Sequence, residues 1–396
     1  MDGITAALAR RGWRCRTLAT TLSDAAQPID LPAILRGLGV PFRREPVPGS
    51  ALHCTRFEHR GVGYTLLEVP QAERSTWLST HELPFNSLLD AELTLHRPDV
   101  VHTFGAAPQE LARQQRCRAH GSAVVLSVRN HGYYDPRAFA HCDAVVTPSR
   151  FMADRLFERT GVRATPLSMP MDWSQVQAPQ RRAVFVTFVN PTREKGVLFF
   201  ARLAEDLAAR RPDIPLLVFE SRGSAGLLVA AGLAGGFDLR RHESLLVSPP
   251  VSGPREVFAN TRVLLVPSVW EEPSARVSAE ALLNAVPAIV SDRGGMGESL
   301  HGGGFVLPLP SACTPDALIP PPPGAADEWI RLIERLCDDE AFYAEQSARA
   351  LAAAEHYRPE RQETEYDAFF GQLVRPSGPP RITPATTPDR PTGNKT

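Results

Sequence analysis

Short β-branched apolar runs alternate with stretches whose apolar positions recur at helical spacing along nearly all of this 396-residue chain. In the first half the pattern predicts strands at 15–19, 64–69, 100–104, 124–128 and 144–147, and helices at 4–11, 88–96, 109–118 and 149–159. Residues 174–182 then turn polar around Pro179, as a linker does. The second series predicts strands at 184–189, 216–220, 245–247, 263–266, 288–290 and 304–307, and helices at 197–210, 254–260, 275–284 and 328–336. Alternation of this kind builds parallel sheets with crossover helices, so each half reads as its own doubly wound α/β unit. Ligands of such sheets bind at the carboxyl ends of the strands, and with two units the cleft between them is the expected site.

Three segments stand outside the alternation. Residues 308–326, with four consecutive prolines from Pro320 to Pro323, are expected to form a surface loop. Residues 338–373 predict one or two helices with Tyr357, Tyr366, Phe369 and Phe370 available for packing. Residues 375–396 carry almost nothing apolar and are expected to be disordered. The opening is unusual, because the chain enters directly in a helix ending at Gly12, without the buried strand and glycine-rich turn that normally start such a unit. Either the natural start lies upstream or the unit lacks an edge element, and we favour the first. The resulting plan is an N-terminal Rossmann-like domain at 1–175, a second at 183–337, helices at 338–374 and a tail at 375–396.

Composition narrows the function. A 43% hydrophobic and 22% charged chain buries sizeable cores, and its length suits two domains of about 150 residues or more. A net charge of −1 leaves no overall electrostatic footprint for nucleic acid. No run reaches the roughly 18 apolar residues of a membrane span, and the start lacks the apolar core of a signal peptide, so a cytoplasmic protein with no integral membrane segment is expected. The six cysteines show no metal-ligand spacing and read as reduced; no metal and no cofactor are expected. Of 43 basic residues only Lys195 and Lys395 are lysine. Arginine and lysine are not interchangeable at a close phosphate contact, which singles out Lys195.

Residues 266–299 hold the most informative stretch. Glu272 and Glu280 lie eight positions apart, with Pro273 between them at the approach to a helix. Free backbone N–H groups around Ser274, Ala275 and Arg276, aligned with the helix dipole, make an anion site suited to a diphosphate. The carboxylates are suited to accept hydrogen bonds from sugar hydroxyls. Upstream, the turn holding Asn190, Arg193 and Lys195-Gly196 follows a strand and opens a helix.

These residues resemble the signature of retaining GT-B glycosyltransferases of family 4: Glu272, then Glu280-Ala281 after seven residues, an apolar strand, and Gly294-Gly295-Met296-Gly297-Glu298. Lys195-Gly196 is similar to the family's Lys-Gly turn, while its arginine position falls on Asn190, leaving Arg193 as the candidate second cation. The resemblance implies a GT-B fold, two Rossmann-like domains facing a cleft, with the first apparently lacking its first strand. It implies transfer of a hexosyl unit from a nucleoside-diphosphate sugar, a UDP-sugar on family frequency, to a hydroxyl acceptor, with retention and without a metal. By the same resemblance Glu272 would bind the donor sugar, Glu280 the ribose, Lys195 the departing diphosphate, and Glu298 would belong to the donor site. Two departures stand out. Ser274-Ala275 replace the usual Phe-Gly, and Arg129 stands where a cleft-facing His is expected, with His131 two residues on. The acceptor, whether saccharide, lipid or small molecule, is not legible. The alternatives are a non-catalytic sugar-nucleotide-binding subunit and a sugar-nucleotide 2-epimerase, a class that lacks this carboxylate spacing.

Overall fold

The computed structural model describes residues 2–23 and 29–374, so the tail expected to be disordered lies outside the described residues. The chain divides into two units: one holds residues up to Thr147, 153–167 and the stretch from Glu363 on, and the other holds 148–152 and 168–362. Of the helices after residue 338, only the part from Glu363 onward groups with the first unit.

In the first unit, β1 (Cys15–Thr20), β2 (Phe42–Pro46), β3 (His53–His59) and β4 (Val62–Leu67) form one sheet in the order β1-β4-β3-β2. β1 and β4 are parallel, whereas β2, β3 and β4 run antiparallel in sequence. A two-residue turn, Arg60-Gly61 with φ of 50° and 74°, closes β3 onto β4 with the positive dihedrals that tight hairpins favour. A second, parallel sheet is ordered β5 (Val100–Thr103), β6 (Ala123–Ser127), β7 (Ala144–Thr147) and β8 (Thr165–Pro166). The wholly parallel sheet expected here is therefore corrected to two sheets, one of them mixed. The sequence hides β2 and β3 because FRREP and HCTRFEH carry charges instead of apolar alternation. Among the described residues β1 and β5 each have a strand on one side only, and β5 is half-buried at all four positions while β6 is buried at four of five.

His102 of β5 lies with Nε2 2.7 Å from the Ser127 hydroxyl of β6 and its ring 5.7 Å from that of Phe370. Burial, with a smaller contribution from the Arg129 charge, pushes its imidazole down from 6.5 to about 4. Above pH 6.5 both folded and unfolded forms are neutral. As pH falls from 6.5 toward 4 the unfolded chain takes up a proton that the folded chain refuses, so stability declines across that window. Urea midpoints at pH 7 and pH 5 should therefore differ more for the wild type than for His102→Gln; equal differences would remove His102 as the cause.

The second unit is a six-stranded, wholly parallel sheet. Its strands are β9 (Phe185–Val189), β10 (Leu216–Phe219), β11 (Leu245–Ser248), β12 (Thr261–Val266), β13 (Ala288–Ser291) and β14 (Phe305–Leu307), ordered β11-β10-β9-β12-β13-β14. Counted within the unit, that is the 3-2-1-4-5-6 order of a dinucleotide-binding sheet. Both faces of the central strands are buried: Val263 and Leu265 of β12 join a core with Phe199, Phe200 and Trp329, while Leu264 and Val266 join another with Leu282 and Tyr357. Two covered faces explain why these strands are continuously apolar in sequence. The edge strands β11 and β14 are apolar in sequence although Leu246, Val247 and Val306 are exposed.

Candidate functional site

The strand order reverses between β9 and β12, so the loops leaving these two strands flank the switch point where such sheets bind ligands. The first loop carries Lys195 into the helix Val197–Arg210, and the second carries Glu272 into the helix Arg276–Leu283. Across 77 positions of sequence the fold brings them together, with Lys195 Nζ 2.6 Å from Glu272 Oε1. The Ser268 hydroxyl donates to the same carboxylate oxygen at 2.9 Å and is itself buried. Glu272 is largely buried, whereas the lysine side chain is 36% exposed, so the ammonium stands between the carboxylate and solvent. An ammonium carries three donors, leaving others for an incoming anion.

Two glycines allow this approach. Gly196 has φ of 83°, and a Cβ there would lie 1.9 Å from the Pro267 carbonyl oxygen. Gly294 has φ of 65°, and its Cβ would lie 2.4 Å from the Glu272 carbonyl oxygen. Only glycine combines positive φ with such backbone proximity. Gly295 N–H then donates to the Glu272 carbonyl at 2.7 Å. The Lys-Gly, Glu-Pro and Gly-Gly elements of the sequence are thus three loops packed backbone to backbone.

Glu280 lies one turn into the helix Arg276–Leu283 and accepts from Arg276 Nε at 2.9 Å. Burial raises its carboxyl above the usual range, opposed by the Arg276 charge and hydrogen bond. At the start of this helix, the N–H of Ala275 is taken by the Ser299 hydroxyl at 3.0 Å. Among the described residues the N–H groups of Arg276 and Val277 have no hydrogen-bond partner, as expected of a first turn. The Ser274 hydroxyl sits 3.1 Å from that of Ser299, and Ala275 is buried. Both side chains that replace the usual Phe-Gly are thereby accounted for.

Residues 2–169 match the family profile described as Glycosyltransferase Family 4. The matched region excludes both Lys195 and the carboxylate pair, so it is independent of the motifs that suggested the family. Among solved structures, sucrose-phosphate synthase from Thermosynechococcus elongatus is 14% identical with a TM-score of 0.64, covering 93% of this chain and 91% of that one. Anabaena HepE in complex with UDP and glucose is 13% identical, TM-score 0.61, with 93% and 95% covered. The trehalose-phosphate synthase from Burkholderia vietnamiensis is 11% identical, TM-score 0.59, with 91% and 97% covered. No match to a curated protein was found. The chain has the fold of the GT-B glycosyltransferases. Together with the profile match, this supports a glycosyltransferase. No helix among the described residues is long and apolar enough to cross a membrane.

Asn190 has φ of 63°, and its Oδ1 accepts from Gly223 N–H at 2.8 Å, fastening the turn after β9 to the turn after β10. The arginine position of the family thus carries a turn-bracing amide here. Arg193 is exposed, with Nη1 3.4 Å from the Ala317 carbonyl. Both oxygens of Glu298 accept from backbone, Arg150 N at 2.7 Å and Phe151 N at 2.9 Å, within the second unit. These oxygens are already engaged by backbone N–H groups where a donor contact was expected. His131 lies in the first unit, its Nδ1 hydrogen-bonded to the Tyr134 hydroxyl. Trp173 donates Nε1–H to the Tyr357 carbonyl at 2.7 Å, a packing role, while Trp270 is 44% exposed. Sequence reading missed Ser268 and Ser299. Neither has a signal beyond being a small polar residue in a loop or helix end beside a named motif.

Proposed function

We propose that the protein is a retaining family 4 hexosyltransferase, moving a sugar from a nucleoside diphosphate, a UDP-sugar as first choice, to a hydroxyl acceptor. The observation that carries this is the Lys195–Glu272 pair at the switch point, 2.6 Å apart, beside a helix start with unpartnered N–H groups. In this reading Lys195 holds the departing diphosphate, with Arg193 as second cation and the N–H groups of Arg276 and Val277 assisting. Fixed positive charge placed where negative charge develops lowers the barrier, so the assignment gives that work to Lys195 and not to a metal ion. Glu272 accepts hydrogen bonds from the donor sugar, and Glu280 binds the ribose hydroxyls. Glu298 and Asn190 act by positioning the loops. His131 is the catalytic candidate of the N-terminal domain. Retention follows from attack on the face the leaving group departs, with the diphosphate accepting the acceptor's proton, so no separate protein base is needed.

The experiment is to follow the anomeric proton by NMR while the purified protein consumes an α-linked UDP-sugar in the presence of an acceptor mixture. The product should be α-linked, and UDP release should accelerate with acceptor. A β-linked product would contradict retention, and saturable UDP binding without any turnover would instead identify a non-catalytic binding subunit.

A further inference from the structure

Arg113 is buried in the first unit and has no carboxylate partner among the described residues. It lies on the helix Pro108–Ala119, which opens shortly after β5, and it is 9% exposed. Its Nε donates to Asn86 Oδ1 at 2.9 Å. Its guanidinium stands 4.5 Å from the ring centre of Phe85 and 5.5 Å from that of Trp77. Nη2 is inaccessible to solvent and has no hydrogen-bond partner among the described residues. Glu110 and Glu82 act on it only at range, and Glu110 already accepts from Ala107 N at 2.9 Å.

A buried charge without a counterion is a large penalty that folded proteins normally avoid by pairing. Two aromatic faces and one amide oxygen recover part of it, but the planar fork is built to meet two oxygens at once and one arm here meets nothing. The covering ring, Trp77, belongs to a four-residue helix, Trp77–Thr80, in the connection between β4 and the helix Glu82–His96. Phe85 and Asn86 come from the first turns of that second helix. Trp77, Phe85 and Asn86 thus lie on the connection and the helix that follow β4, and Arg113 in the second turn of the helix that follows β5.

We propose that Arg113 is the receptor for a small oxyanion, phosphate or carboxylate, carried by the acceptor, and that the Trp77 segment lifts to admit it. That the anion belongs to an acceptor rests on the transferase reading above; the anion site itself does not. Oxyanion binding completes the fork, and Trp77 reports it because its indole lies against the guanidinium.

The test uses the full chain at fixed ionic strength and follows the melting temperature and tryptophan emission as inorganic phosphate, or separately acetate, is added. Lys195→Ala removes the phosphate contact expected at the other site, so a melting shift that persists in Lys195→Ala and is lost in Arg113→Gln supports the proposal. Arg113→Lys, which keeps the charge but not the fork, should show a reduced shift. If Arg113→Gln does not fold, an emission change present in the wild type and absent in Trp77→Phe carries the same conclusion. A response to acetate and not phosphate supports the site and assigns it to a carboxylate. An equal shift in Arg113→Gln, or no response to either anion, overturns it. UDP failing to shift any of these proteins while the Arg113-dependent response remains would defeat the donor-site reading and leave this one standing.

Discussion

Replacing Lys195 with alanine should lower turnover by about 10²–10³-fold, the loss expected when one preorganised charge or donor is removed from a developing anion. Affinity for the free nucleoside, which has no diphosphate, should hardly change. The pairing with Glu272 at 2.6 Å sharpens the prediction. In the substrate-free protein the ammonium neutralises a carboxylate that would otherwise repel a diphosphate. On the proposed reading, its remaining N–H donors would meet the leaving group in the complex. Its loss therefore both removes attraction and uncovers repulsion. The stability change should be small, on the order of 1 kcal/mol, because the lysine is more than a third exposed and its pair is screened by water. A thermal melt close to wild type alongside a collapsed kcat marks a functional lysine. Equal losses in turnover and nucleoside affinity would mean that Lys195 binds without favouring the transition state.

Glu280→Ala should weaken UDP binding by about 1–3 kcal/mol, roughly 5- to 150-fold, the consequence of leaving ribose hydroxyls unpaired. The folded protein should not suffer in parallel. Burial raises the Glu280 carboxyl above its unfolded value, so near neutral pH its ionised form is a liability to the folded state that appears as pH rises through the unfolded value and is absent well below it. Glu280→Gln removes that liability and should fold at least as well as the wild type while binding UDP more weakly. Opposite signs in stability and affinity distinguish a binding carboxylate from a structural one. Unchanged affinity would remove Glu280 from the site.

The second unit was legible because both faces of its central strands are covered, which writes those strands as apolar runs, and because Lys195-Gly196, Glu272 and Gly294-Gly295 mark the loops around one switch point. Their spacing in sequence reflects contact in space: the two glycines permit the backbone approach that aligns Glu272 with Lys195. The first unit was harder. β2 presents Arg43, Arg44 and Glu45 to solvent from an edge position, and an edge strand needs no apolar alternation. Glu298 illustrates a different limit. A glutamate after a Gly-Gly turn reads as a ligand contact, yet its oxygens meet backbone N–H groups of Arg150 and Phe151, residues nearly 150 positions away whose arrival no local pattern announces. Arg113 was silent for the same reason, since one arginine on an amphipathic helix reads as solvated until its neighbours are known.

Calorimetric titration of the purified chain with UDP, GDP, ADP and dTDP tests most directly for a nucleotide site at the switch point of the second unit. Saturable binding of one of them, UDP by preference, weakened in Glu280→Ala, is the predicted result. A well-folded protein that binds none of the four would contradict it.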